Sequence, residues 1–338
     1  MTRSTSRAVL GAAIVAAAAF GATAARGQAA GGTPSGAVTD VPTWAFAVDP
    51  PAGSSSGATA PVDAAPRHVP GSVASFTPAQ LHDLYAVPDW HPGSHPPMPE
   101  VVAHGRKPGI YACGYCHLPN GQGRPENSSL AGLSAGYITR QVEDFRAGLR
   151  KGSEPRHLPT TLMRGESAVT PEDLEAAARY FAALTPRPWI RVVETDVVPR
   201  TRVAGWMLVP SGEAGTEPIG ERIVETPVDL ERTELRDDTS GFTAYVPVGS
   251  LRKGESLVTT GDSGKTVPCA SCHGPGLKGL GDAPRLAGRS PSYLVRQLFD
   301  IQRGARHGAG AVLMQEPVAR LTLPDLVAIA AYTASLDP

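Results

Sequence analysis

The chain has 338 residues, room for two or three domains, yet only 6% are aromatic while Gly and Pro number 37 and 33. A chain so poor in large side chains needs something else to fill its cores. Its formal net charge of −1 excludes the strongly basic profile of a nucleic-acid binder.

Arg3 and Arg7 precede an apolar run from Ala8 to Phe20, and Ala22-Thr23-Ala24 and Gly27-Gln28-Ala29 offer small-residue cleavage points. Residues 1–29 therefore read as an export signal. The competing reading is an uncleaved N-terminal anchor, because Ala8 to Ala25 carries no charge over a length near the lower limit of a spanning helix. Both readings put the rest of the chain in the periplasm, free or held at the membrane. Loss of 1–29 removes Arg3, Arg7 and Arg26 and no acid, which takes the net charge from −1 to −4. Residues 30–75, rich in Ala, Pro, Gly and Ser, read as a flexible leader. Within them Trp44-Ala45-Phe46 is a segment that could dock on the folded body.

All four cysteines fall in two motifs, CGYCH at 113–117 and CASCH at 269–273. Two disulfides would suit an exported chain, and a metal site is a further reading. Cys-x-x-Cys followed at once by His is the haem-attachment pattern, and it occurs twice with no cysteine left over. The spacing has a chemical reason: two thiols reach the two vinyl groups on one porphyrin edge, and the next residue is carried under the iron. The expectation is two covalent haem c groups, on Cys113 and Cys116 and on Cys269 and Cys272, with His117 and His273 as proximal iron ligands.

The motifs lie 156 residues apart, and the offset persists around them. Gly105 matches Gly261, Leu130-Ala131-Gly132 matches Leu286-Ala287-Gly288, and Tyr137 matches Tyr293. Arg140-Gln141 matches Arg296-Gln297, while Asp144, Gly148 and Arg150 match Asp300, Gly304 and Arg306. After a short deletion Met163 matches Met314, Thr170 matches Thr322, Asp173-Leu174 matches Asp325-Leu326 and Tyr180 matches Tyr332. One module has been duplicated in tandem. Each copy has helical periodicity over 137–149 and 293–305, with Ile138, Val142 and Phe145 on one face, and Leu294, Leu298 and Ile301 in the other copy. Thr170-Pro171 is an N-cap followed by Pro at the first turn of a last helix, whose inner stripe is Leu174, Ala178 and Phe181.

The sixth iron ligand must lie across the haem from His. Met163 and Met314 hold equivalent places, 46 and 41 residues after their histidines, in a chain with five methionines. A lone Met is usually a gap-filler; one kept at the same place in both copies reads as a ligand. The rivals are His157 and His307, which precede the methionines but do not align by the repeat. His/Met coordination raises the potential and closes both axial positions, which suits electron transfer.

At this point the chain resembles the class I dihaem cytochromes of the cytochrome c4 type. The motif reads CASCHG, Pro284-Arg285-Leu286-Ala287-Gly288, Tyr293, Gln297-Leu298, Gly304-Ala305-Arg306, Met314, Leu321, Asp325 and Tyr332, and the resemblance covers about 101–186 and 251–338. It implies a mainly α protein of two tandem cytochrome c domains, His/Met ligation, and electron shuttling to a terminal oxidase or from a dehydrogenase. It also implies a Pro carbonyl accepting from the proximal His. Pro284 fits that role for His273, but Ser128 stands at the aligned first-copy position, leaving Pro125 as a stand-in.

The domains are then 76–188 and 251–338, separated by a segment at 189–250 that the resemblance does not cover. Strand-like runs at 190–193, 206–209, 222–224 and 242–246 mark it as a β-rich insertion, either a ribbon packed on the haem domains or a docking surface. Trp189, Trp206 and Tyr245 are its expected anchors. His91, His95 and His104 read as surface residues. Tyr137 with Arg140, and Tyr293 with Arg296, are either ordinary helix surface, haem-propionate contacts, or residues that help seat one domain on the other. An electron carrier with no catalytic residue is the leading function. A haem peroxidase relaying through Trp189 or Trp206, and a cytochrome subunit of a membrane dehydrogenase or oxidase complex, are the alternatives.

Overall fold

The helices form where caps and apolar stripes coincide. Ala135–Arg146 begins at Ser134, whose Oγ accepts from the Tyr137 amide at 3.0 Å, and Pro291–Gln302 begins at Ser290, whose Oγ accepts from Tyr293 at 3.2 Å. Both end three residues short of the periodic run, because Gly148 and Gly304 adopt φ of 70° and 71°, the left-handed stop that glycine allows. The last helices, Pro171–Ala183 and Leu323–Ser335, start at Thr170 and Thr322, the latter in a reciprocal capping box with Asp325. Leu158–Glu166 carries Met163 in the first copy. The computed structural model describes residues 40–50 and 64–338; the export signal and the anchor reading at 1–29 lie outside the described residues.

Each copy has its own core. The first gathers Val101, Val102, Ile138, Leu174 and Phe181; the second gathers Leu257, Leu294, Phe299, Leu326 and Ala330. A fully buried side chain of this size contributes about 1.5–3 kcal/mol. In the second copy Ser250–Thr260 crosses Leu323–Ser335 so closely that a Cβ on Gly254 would overlap the Ala328 carbonyl oxygen. The first copy has the short helix Glu100–Ala103 at the equivalent place before its motif.

Between the copies lie seven strands: β1 Ile190–Glu194, β2 Val197–Pro199, β3 Thr201–Ala204, β4 Met207–Pro210, β5 Thr216–Pro218, β6 Val224–Pro227 and β7 Phe242–Val246. β7 is central in a three-stranded sheet, parallel to β1 and antiparallel to β6, with Ile190 opposite Phe242 and Val224 opposite Tyr245. β2 pairs with β5, and β3 with β4, both antiparallel. Gly205 and Trp206 turn the β3–β4 hairpin with φ of 60° at both residues, as a two-residue type I′ turn requires. A tryptophan in that conformation is strained and must be held by its surroundings. Its amide donates to Asp49 Oδ1 at 3.2 Å.

This segment touches both copies. Ile223, Ala244 and Val246 are buried in the second core, and Glu225 of β6 accepts from Ser290 Oγ at 2.8 Å and the Ser292 amide at 3.2 Å, at the start of Pro291–Gln302. Toward the first copy, Leu230–Glu234 and the turn after it approach the loop that follows His117. There the Arg236 guanidinium lies 3.7 Å from the centre of the Tyr115 ring and donates to the Tyr115 carbonyl at 2.9 Å.

The leader is not a tether over its described part. Ala45 and Phe46 are each 1% exposed in the second core, and Val69 packs with Leu81 and Trp90. Small-residue composition suggested slack chain, but one aromatic with a ready socket overrides composition. Among the described residues no helix is long and apolar enough to cross a membrane.

Candidate functional site

Both motif histidines are buried, 7% exposed each, and both are oriented in the same way. His117 Nδ1 bonds to the Ser128 carbonyl and His273 Nδ1 to the Pro284 carbonyl, each at 2.8 Å. A carbonyl only accepts, so each Nδ1 carries the proton and each Nε2 keeps its lone pair. Burial pushes both imidazoles below their ordinary pKa, against the opposing pull of the carbonyl bond, so the neutral ligand form is favoured. Pro125 does not stand in for the missing proline. The acceptor is a backbone oxygen, which Ser128 supplies as well as Pro284 does, and the Pro125 carbonyl instead accepts from Arg296 Nη2 at 2.5 Å.

Around His117 opens a cavity, partly open to solvent, walled by Cys113, Cys116, Leu130, Ile138, Leu174 and Phe181. Met163 lines it together with His117. Trp206 and Arg236, from the segment between the copies, close its rim. An adjoining cavity shares His117 and Met163 and runs to Arg150, Lys151, Tyr293, Arg296 and Asp300. The site is thus apolar at one end and cationic at the other. A flat apolar macrocycle with carboxylates on one edge fits that polarity. In the second copy Met314 and Cys269 both pack against the second core, and Cys272 is exposed.

The cationic end is a junction between the copies, related by the 156-residue offset. Arg150 donates from Nη2 to Tyr293 OH at 3.2 Å and Gln297 Oε1 at 3.0 Å, and from Nη1 to Gln141 Oε1 at 3.0 Å. Arg306 reciprocates, with Nη2 to Tyr137 OH at 3.0 Å and Gln141 Oε1 at 2.8 Å, and Nη1 to Gln297 Oε1 at 3.0 Å. Between them Lys151 N donates to Ala305 O at 2.9 Å and His307 N to Leu149 O at 2.8 Å. Arg289 of the second copy adds bonds to Ser128 Oγ at 2.7 Å and Ser129 O at 2.9 Å, on the residue whose carbonyl orients His117.

Of the paired tyrosines and arginines, Tyr137, Tyr293 and Arg296 line the second cavity and Arg140 does not. Arg140 and Arg296 are equivalent in sequence and not in place. Arg140 is an exposed residue paired with Asp282, whereas Arg296 is 4% exposed and is held by the Ala45 and Pro125 carbonyls. The shared polar role belongs to Arg150 and Arg306, which the repeat alignment contained without marking their function. His157 is buried away from the cavity against Phe46. His95 is not a surface residue: its side chain is 2% exposed and its ring bonds Asp89 and Tyr180. His91 pairs with Asp237 and is half-buried.

No family model matches the chain. Cytochrome c4 of Azotobacter vinelandii is 26% identical over 233 residues, which is 66% of this chain and 84% of that one. A thiosulfate dehydrogenase electron acceptor of Stutzerimonas stutzeri is 26% identical over 236 residues, 69% of this chain and 82% of that one. Cytochrome c-554(548) of Halomonas halodenitrificans is 37% identical over 74 residues, 22% of this chain and 89% of that one. The chain belongs with the cytochrome c4-like dihaem c-type cytochromes. Like them it carries two covalently bound haem c groups and takes part in electron transfer.

Proposed function

We propose that this cytochrome c4-like chain is a periplasmic electron carrier with two low-spin His/Met haems, one in each of two class I cytochrome c domains at 76–188 and 251–338. Cys113 and Cys116 hold the first haem and Cys269 and Cys272 the second. His117 and Met163, and His273 and Met314, are the axial ligands. The β-rich insertion at 189–250 lies between the domains and covers the first haem's rim. The observation that carries this reading is the matched pair of histidines, each with Nδ1 engaged and Nε2 left free.

The haems supply the one-electron chemistry; the chain's part is to hold, orient and insulate them. The carbonyls of Ser128 and Pro284 fix ring orientation and keep each imidazole neutral. Phe181, Leu174 and Ile138 keep water from one face of the first site. Arg150 and Arg296 meet the carboxylate edge, and the reciprocal arginine–tyrosine junction holds the copies at a fixed separation. The kinship with a thiosulfate dehydrogenase electron acceptor supports a sulfur-oxidising dehydrogenase as the electron donor.

The test is acid extraction followed by spectroscopy. Both haems should stay with the polypeptide, and the oxidised protein should show the sulfur-to-iron absorption near the red end at a strength for two haems. Haem extracted free by acid, or a high-spin ferric spectrum, would rule this reading out.

A further inference from the structure

Where the turn after Leu230–Glu234 meets the segment before Glu100–Ala103, three donors converge. His91 Nε2 lies 3.1 Å from Asp237 Oδ1 and 3.9 Å from Asp238 Oδ1, and donor atoms of all three residues lie within 4.8 Å of one another. Asp237 and Asp238 are each 1% exposed. Asp237 is amply satisfied: Arg232 Nε donates to Oδ2 at 2.7 Å, and Thr239 donates to Oδ1 from its amide at 2.9 Å and its hydroxyl at 2.8 Å. Asp238 is the opposite, since neither of its buried carboxylate oxygens has a hydrogen-bond partner. The remaining charged groups around it, Asp89 and His95, are engaged with each other at 3.2 Å. A buried carboxylate without a partner is costly, and proteins relieve it by pairing, by protonation or by a metal ion.

We propose that His91, Asp237 and Asp238 bind one divalent transition-metal cation of the zinc class. An imidazole nitrogen with two carboxylate oxygens is a donor set that suits this ion, and three protein ligands leave a fourth position for water. Tetrahedral bonds to zinc place donors about 3.3 Å apart. The 3.1 Å spacing already meets this, and the Asp238 carboxylate must draw in from 3.9 Å on binding. Arg232 holds the other oxygen of Asp237, Oδ2, as an outer partner of a metal ligand does, and Thr239 fixes Oδ1 itself.

The position gives the ion a task. The Asp238 carbonyl accepts from Asn120 Nδ2 and the Ser240 carbonyl from Gln122 Nε2 at 2.8 Å, so this turn is fastened to the loop directly after His117. A cation at its centre clamps the 229–240 segment to that loop and to the 89–95 segment at once. This site uses no haem ligand, and its success or failure leaves the electron-transfer reading where it stands.

The experiment uses the purified dihaem protein, stripped with chelator and dialysed, as wild type, Asp238→Asn and His91→Gln. Equilibrium dialysis against zinc chloride at micromolar free zinc counts bound metal. The wild type should hold one more zinc per chain than either variant, whose affinity at this site should fall by more than the roughly 10–100-fold that loss of an outer partner costs. Zinc should raise the thermal midpoint of the wild type and leave that of Asp238→Asn unchanged, while unaltered haem spectra show that the variants are folded. In chelator, Asp238→Asn should melt at or above the wild type, because it removes the unpaired charge. Equal zinc on all three proteins, or none on the wild type, overturns the proposal.

Discussion

His117 and His273 show how little side-chain identity a ligand orientation needs. Each ring is fixed through a carbonyl at the same repeat position, once on Ser128 and once on Pro284. The histidines and their cysteines were legible because covalent attachment demands a rigid spacing. The acceptor was not legible, because a backbone oxygen leaves no trace in residue type. Arg140 and Arg296 differ for a related reason: a repeat gives a position and not an environment. Asp282 meets Arg140 at the surface, whereas the leader meets Arg296 in the core. The methionine assignment makes a direct prediction. Met163→Ala should remove the red-end absorption of one haem and lower that haem's potential, and Met314→Ala should do the same to the other. A spectrum still showing two intact signals after either change would reassign the sixth ligand.

Helices were the easier elements to read. Their caps, Ser134 and Ser290, Thr170 and Thr322, are local and repeated, and their ends follow from Gly148 and Gly304. Strands β1, β4, β6 and β7 fell within or beside the apolar β-branched runs, whereas β2 and β5 are only three residues long and β3 four, too short to give an alternating pattern. Their pairing was not readable at all, since β1 joins β7 across some fifty residues in parallel. The cap of the last helix yields a pH prediction. Burial alone would raise the Asp325 carboxyl. Bonds from Lys265, Lys253 and Thr322 outweigh burial and bring it from 3.8 to about 2. A carboxyl depressed in the folded state adds stability that is present above its unfolded value and is lost as pH falls through the folded one. Asp325→Asn should therefore cost about 1.5–3 kcal/mol at neutral pH. The gap from the wild type should close between pH 4 and 2, as followed by urea unfolding. A gap that persists at pH 2 would mean that the charge is not what matters.

Over the whole molecule, the reciprocal bonds of Arg150 and Arg306 make the two copies a single mechanical body. Each arginine contributes about 1.5–3 kcal/mol through its partly buried bonds. The two share Gln141 and Gln297, so their losses should not add. Arg150→Ala, Arg306→Ala and the double variant should show this in thermal melts, with the double variant melting in two steps as the copies part. Strict additivity would make the junction two unrelated contacts. The sheet carries one more consequence. Ile190 lies beside Phe242 in parallel register, so the chain leaves β7 along the heading with which it entered β1, displaced by one strand spacing of about 4.8 Å. The fifty-odd residues between are a parenthesis in the polypeptide. Cutting them out and joining Ile190 to Thr243 would leave a single strand on nearly the same track. A gene could gain or lose such a detour in one event.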